Sequence, residues 1–404
     1  MYRDDVSKLV HISGFHVTET IFSESGHKVP TVHIYLNRDI PQYCCSGCGQ
    51  YYFTYYDAHK LQVRDLPYGK WKKSYLVFNK VRVQCSTCGV KIEKMDWLPL
   101  WSRLTKRFEE EVARECRLLQ SIRDVAKRCH LDWKTVKEID KTYLTEELNP
   151  PDFSQVTCLA VDEFAIKKHH KYGTVISEAA RCRVLWVEKN RTRRSLERFY
   201  RRLGKKGCRQ IKAVAMDMWE SYQKATRKYC PQADIVYDQF HILQNYSKVI
   251  NKVRNEEYRK ARKESDATVF KGTKYLLLAK RINVRGKKRV RLDELLKANQ
   301  FLSTLYILKE DLSHLWDYRY EKVAQKWFDD WYQKAMSSGI DALQKFAESL
   351  AGHLAGILAH CRYPINTSFL EGMNNKIKVL KRVSFGFNDE EYFFLKIRGL
   401  FMGK

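Results

Sequence analysis

Proline is scarce in this chain, with eight in 404 residues, and the sequence holds no internal repeat and no low-complexity tract. That leaves little room for long disordered linkers. No apolar run approaches the ~18–20 residues needed to span a bilayer. The first residues, "MYRDDVSKLV", lack a signal-peptide core. Acids are also in short supply: 47 Asp and Glu stand against 74 Lys and Arg, a net charge of +27. A solvated surface explains scattered charge but not this excess. Nucleic acid is the polyanion expected, because each neutralised phosphate releases counterions. An acidic membrane surface is the weaker competitor. Twelve cysteines would suit a secreted disulfide protein only in a much shorter chain. Most are scattered singly, as in a reducing compartment. A cytoplasmic protein with no membrane partner is therefore expected.

What is present divides the chain. At this length two to four domains are expected, and 44% hydrophobic residues suffice for more than one core. Residues 1–100 are β-rich, with "TVHIYL" and "SYLVFNKVRVQC" as strands and turns at Gly49 and Gly69. Residues 101–148 turn helical and polar, and "ELNPPDFSQ" reads as a linker. Strands and helices then alternate: "VTCLAVD" and "RVLWVEK" as strands, the latter closing a small meander, "SLERFYRRLG" as a helix ending at Gly204, "IKAVAMD" and "ADIVYDQFHIL" as strands leading into helices. Residues 250–360 are almost wholly helical, and a last helix starts near "NTSFLEG". Basic charge clusters at 189–209, ten Lys or Arg against one acid, and at 254–291, fourteen against four. Runs so one-sided favour phosphate contact over an ordinary solvated face.

Two motifs bear on binding. "CCSGCG" and "CSTCG" place Cys45 and Cys48, then Cys85 and Cys88, as paired C-x-x-C knuckles. Four thiolates so arranged suit one structural Zn²⁺, with Cys44 an alternative to Cys45. Unligated thiols or a redox pair are the competing reading. "SIRDVAKRCHLDWKTVKEID", residues 121–140, has helix-turn-helix spacing. Ile122, Val125 and Ala126 face a core, Leu131 sits at the turn, and Val136 and Ile139 anchor the second helix. That helix presents Lys134, Thr135, Lys137 and Glu138 outwards, as a major groove requires. The turn position often held by Gly is His130, which can adopt positive φ. An ordinary helical hairpin is the alternative.

The chemistry lies in carboxylates. The strand "VTCLAVD" ends at Asp162 and "IKAVAMD" at Asp217. Bare carboxylates at buried strand ends cost several kcal/mol without a cation or donors. Glu371 lies at the edge of an apolar stripe of Leu370, Met373, Ile377 and Leu380, beside Asn374, Asn375 and Lys378. Three such acids suit Mg²⁺, and two ions can activate a water or a 3′-hydroxyl. Singly, each acid also reads as a helix cap or loop ligand. Glu163 reads as a neighbour pointing to the opposite face.

These residues resemble a bacterial insertion-sequence DDE transposase of the ISL-three family. The likeness is carried by "VDEF" around Asp162, "AMDMWESY" around Asp217, "DQFH" at 238–241, "EGMNNKIKVLKRVSFGF" around Glu371, "RDLP" at 64–67 and "KGTKYLLL" at 271–278. It covers nearly the whole chain. It implies an α/β ribonuclease-H-like catalytic core with a helical insertion, plus an N-terminal zinc ribbon and a helix-turn-helix. The domains implied are 1–100 zinc ribbon, 101–148 helix-turn-helix, 149–250 first part of the core, 251–365 helical insertion and 366–404 last part of the core. Glu371 lies 154 positions after Asp217, which agrees with an insertion. By matching position, Asp162 should bridge two Mg²⁺ ions, Asp217 bind one and Glu371 the other. Asp238 and His241 match a motif supporting the site or facing DNA, with strand-end structure as the plain alternative. Asn375, Lys378, Lys381 and Arg382 should contact the DNA backbone.

The function implied is a transposase that binds double-stranded terminal inverted repeats, cuts the ends by metal-assisted hydrolysis and joins the 3′-hydroxyl to target DNA. It would act as a homodimer or higher oligomer, associated with the nucleoid. The rivals are a non-catalytic DNA-binding regulator derived from a transposase and a structure-specific nuclease.

Overall fold

A computed structural model describes residues 2–24, 29–148, 152–167, 171–263, 270, 272–365 and 367–403. It separates into two compact units, Met1–Asn149 with Lys378–Gly399, and Pro150–Ile377 with Leu400–Lys404. The Lys271 end of "KGTKYLLL" falls outside the described residues.

The first unit begins with α1 (Tyr2–Val10), β1 (Phe15–Ser23), β2 (Thr31–Arg38), β3 (Tyr43–Cys45), β4 (Tyr51–Tyr52), β5 (Asp57–Asp65), β6 (Lys73–Cys85) and β7 (Gly89–Lys94). The sheet runs β1-β2-β6-β7-β3-β4, with β5 also on β6. Alternation of apolar residues buries one face of β2, where Val32, Ile34 and Leu36 join Leu76, Phe78 and Val63. Gly49 and Gly69 take φ of +79° and +56°, where a Cβ would be strained. Three helices follow, α2 (Lys106–Glu115), α3 (Ile122–Cys129) and α4 (Trp133–Leu148). Phe108, Val112, Val125, Ala126, Val136 and Ile139 form their core, with Ile122 and Leu131 partly buried against it. Ser121 caps α3 by accepting from the Asp124 N–H at 3.1 Å. His130 ends α3 in the left-handed region, φ 51° and ψ 45°.

The "RDLP" residues are structural. Asp65 is fully buried and accepts from Thr105 Oγ1 at 2.7 Å, Arg107 Nε at 2.8 Å and Tyr68 Oη at 2.8 Å. Burial pushes its carboxyl up, but the Arg107 and Thr105 hydrogen bonds outweigh that and hold it below the usual range. Arg64 donates to the carbonyls of Lys72 at 2.8 Å and Cys129 at 3.3 Å. It thereby ties β5 to the C-terminal end of α3.

The second unit holds β8 (Cys158–Lys167), β9 (Lys171–Glu178), β10 (Arg183–Lys189), α5 (Arg193–Gln210), β11 (Ala213–Met216), α6 (Glu220–Tyr229) and β12 (Asp234–Tyr237). The sheet order is β10-β9-β8-β11-β12. The first three strands pair antiparallel, and β8, β11 and β12 pair parallel. Every residue of β11 is buried, as expected of a parallel strand covered on both faces. In α5 the backbone leaves helical geometry at Gly204, φ 76°, then resumes to Gln210, so the expected stop is a kink. The helices α7 (Gln239–Lys263), α8 (Lys274–Leu278), α9 (Lys287–Ala298), α10 (Gln300–Ser313), α11 (Glu321–Met336), α12 (Asp341–Ala351) and α13 (Leu354–Leu358) follow. Tyr246, Leu305, Leu308, Phe328, Trp331 and Leu343 lie at the centre of their common core.

The chain ends with α14 (Ser368–Val383) and α15 (Glu390–Leu400). The sequence reading kept 366–404 as one piece of the core, whereas residues 378–399 cluster with the first unit. There α15 packs Tyr392 and Leu395 on Leu144 of α4. Its Lys396 Nζ meets the fully buried Asp140 of α4 at 3.0 Å, and Tyr392 donates to the same carboxylate at 2.5 Å.

Candidate active site and cysteine cluster

The parallel register sets out a row of acids. Ala160 of β8, Ala215 of β11 and Val236 of β12 are aligned. Two residues further along each strand come Asp162, Asp217 and Asp238. Pairing of β8 with β11 stops at Ala160, while β8 continues in its hairpin with β9, Asp162 opposite Val175. Asp162 therefore lies inside a strand, not at its end as the sequence suggested. It sits where that strand leaves the parallel half of the sheet.

Helix α14 crosses this row. Thr367 donates to Asp238 Oδ1 at 2.7 Å, and Asn374 Nδ2 donates to Asp162 Oδ2 at 2.7 Å. Met373 faces down, with Ser177 of β9 at 3.9 Å from its sulfur. Residues 367, 371 and 374 share one helical stripe. Glu371 thus falls between the two anchoring contacts and is exposed. The apolar side of α14 is as expected, with Leu370, Met373, Ile377 and Leu380 buried.

Burial pushes the Asp162 carboxyl up to about 6, against hydrogen bonds from the Glu163 N–H and Asn374. Burial raises Asp217 as well, and the charge of Glu163 adds to it. Glu163 is therefore electrostatically part of the group, although strand alternation had set it aside. His241, in the first turn of α7, lies close enough for its protonated form to favour ionised Asp162 and Asp217. Its Nδ1 is 3.5 Å from Asp238 Oδ2 and has no hydrogen-bond partner among the described residues. Asp238 also caps α7, accepting from the Phe240 N–H at 2.9 Å.

The sequence places Asn374 beside Glu371 but gives no sign of its contact with Asp162, and it gives no sign of Arg191. Arg191 pairs with Glu163 at 2.9 Å. Of the residues expected at DNA, Lys134, Thr135, Asn375, Lys378 and Arg382 are exposed and Lys381 is partly buried. Lys137 is partly covered, its ammonium 2.7 Å from Asp389.

The cysteines do converge. Sγ atoms of Cys45, Cys48, Cys85 and Cys88 lie within 4.8 Å of one another; among the described residues this is the one group of three or more His, Cys, Asp or Glu so close. Asp162, Asp217 and Glu371 are farther apart than that. Backbone N–H groups of Gly47 and Cys88 point at Cys45 Sγ and Cys85 Sγ, at 3.4 and 3.3 Å. Tyr52 Oη donates to Cys85 Sγ at 3.2 Å and holds that thiol down at about 6, against burial. N–H and O–H groups aimed at sulfur favour thiolates, so the four fit a structural zinc site. Cys44 turns away, towards the Gly49 carbonyl at 3.6 Å, so Cys45 is the residue of that pair in the cluster.

A five-stranded mixed sheet with acids at one level, joined to a helix-turn-helix, defines a DNA-processing protein. The chain belongs to the ISL3 family of transposases: the family's DDE domain, described as transposase, matches residues 159–397, and the helix-turn-helix domain of transposase family ISL3 matches 93–144. It is 40% identical over 378 residues to the transposase for insertion sequence element IS1001 of Bordetella parapertussis, covering 92% of each chain. It is 24% identical over 372 residues to the transposase for IS1557 of Mycobacterium tuberculosis, covering 86% of this chain and 83% of the relative. An insertion-sequence transposase with helix-turn-helix and DDE domains binds DNA and acts on it. Among the described residues no helix is long and apolar enough to cross a membrane.

Proposed function

We propose that this transposase binds the terminal inverted repeats of its element, hydrolyses the strand at each end, and joins the freed 3′-hydroxyl to target DNA without a covalent protein–DNA intermediate. The observation that carries this reading is the helical stripe of Thr367, Glu371 and Asn374, anchored at both ends on the acid row. Those two contacts support a place for Glu371 over the stretch containing Asp217. The strand order β10-β9-β8-β11-β12, three antiparallel and then two parallel, supports a ribonuclease-H-like core interrupted by the helices α7 to α13.

Asp162, Asp217 and Glu371 would hold the Mg²⁺. The fit rests on the donor set: half-buried Asp162 and Asp217 stand at one level of the sheet, each raised by burial and by the charge of Glu163, and a hard cation neutralises such oxygens. Bound there, the ions supply activation of the attacking water or hydroxyl and stabilise the leaving oxygen. Asn374 fixes the rotamer of Asp162, and Asp238 fixes the start of α14 through Thr367. Lys134, Thr135 and Lys137 of α4 would meet the terminal repeat, with the zinc ribbon alongside. Asn375, Lys378, Lys381 and Arg382 would meet backbone phosphate. A homodimer or larger assembly would hold two ends together.

The test is Mg²⁺-dependent cleavage of supercoiled plasmid carrying the element's ends, by wild type and by Asp162→Asn, Asp217→Asn and Glu371→Gln. Each substitution should abolish cleavage, by a factor of at least 10²–10³, and leave end binding intact. Binding by the wild type without cleavage under any divalent metal would instead leave a DNA-binding regulator.

A further inference from the structure

Arg191 stands outside the mechanism just given, in the turn between β10 and α5. Its guanidinium lies 4.3 Å from the ring centroid of Tyr172 and 5.1 Å from that of Trp219. Trp219 Nε1 donates to the Arg191 carbonyl at 3.2 Å, so ring and backbone hold each other in place. Arg191 Nη1 donates to Glu163 Oε1 at 2.9 Å. Glu163 follows Asp162 directly, and Trp219 follows Asp217 by two residues. The cation is therefore built into the rim of the acid row from both strands, with 37% of its side chain exposed.

Neutralising Glu163 does not account for this construction. An ion pair this exposed contributes little. Two aromatic walls fix the plane of a guanidinium and leave its edge open. Among the described residues, Glu163 engages one nitrogen of a group with five donors. That fork matches phosphate oxygens in a bidentate manner. A strand of DNA lying over three carboxylates is also repelled, and Arg191 is a fixed cation at that place.

We propose that Arg191 is a positioning residue that clamps a backbone phosphate next to the phosphodiester held at the acid row, exchanging Glu163 for that phosphate when DNA binds. The proposal rests on the reading that Asp162, Asp217 and Glu371 receive the DNA strand.

The experiment is equilibrium binding without added Mg²⁺, where nothing is cut. The probe is a duplex carrying the element's terminal repeat, synthesised with one phosphate at a time replaced by uncharged methylphosphonate. Arg191→Gln should weaken binding of unmodified duplex by about tenfold to a hundredfold, the loss of one charge-assisted contact. Methylphosphonate at one position near the cut should weaken the wild type by a similar factor. At that position it should leave Arg191→Gln within about twofold of its value on unmodified duplex. Losses that multiply at every position overturn the clamp, because a merely structural Arg191 couples to no particular phosphate. Arg191→Lys, which keeps the charge and loses the fork, serves for the same cycle if the Gln variant does not fold. Coupling without plasmid cleavage by the wild type would remove the cutting mechanism and keep the clamp. Cleavage without coupling would do the reverse.

Discussion

Two aspartates, Asp65 buried and Asp162 half-buried, are held in opposite ways, and their environments separate structure from chemistry. Asp65 is surrounded by donors, so its carboxyl is held below the ordinary value of about 3.9. A group lowered on folding contributes stability that is present above the unfolded value and lost as pH falls through the folded one. Thermal unfolding followed by circular dichroism should show an acid limb that Asp65→Asn flattens. Asp162 has the reverse sign. Its folded value, about 6, lies above the unfolded one. Its contribution is lost as pH rises through that interval. Asp162→Asn should therefore raise the melting temperature at neutral pH without added Mg²⁺ while abolishing cleavage. A melting temperature that falls would contradict the environment described. Asp162 and Asp217 were legible in sequence because each closes an apolar run with a charge. Asn374 was not, since its partner lies 212 residues away and only the folded register brings them together.

Among the elements, α4 is the one whose surroundings the sequence concealed. Its apolar anchors, Val136 and Ile139, could be read from helical period. Asp140, fully buried beside them, could not be assigned, because its cation sits on α15. Lys396→Ala should leave that carboxylate buried and unpaired, costing about 3–5 kcal/mol. The loss should appear as a lower melting temperature and weaker end binding. Asp140→Leu combined with Lys396→Met should recover most of the melting temperature. The left-handed His130 was legible as a place where Gly commonly stands. His130→Gly should stabilise the turn between α3 and α4 by up to about 1 kcal/mol, read as a small rise in melting temperature.

For the molecule as a whole, charge and metal set the conditions of use. With a net charge of +27, end binding should weaken steeply with salt, by a slope of about −0.9 per phosphate neutralised. Removal of zinc by a strong chelator should lower the melting temperature and end binding together, and Zn²⁺ but not Mg²⁺ should restore both. The convergence of four cysteines was the most legible feature, because doubled C-x-x-C spacing brings two pairs of sulfurs to one point. The five-stranded sheet was legible in outline. Its antiparallel meander was legible too, closed by "RVLWVEK" as expected, but the length of β8 was not, since Asp162 and Glu163 disguise its middle as an end.

The helices α14 and α15 also complete what much earlier residues begin. Asp162 waits for Asn374, and Asp140 waits for Lys396. A ribosome that has finished the helix-turn-helix and all five strands has still made neither partner. A chain that stops before α14 thus has an acid row without Asn374 and an Asp140 without Lys396 and Tyr392. On the function proposed above, end binding and cutting would both await these two helices.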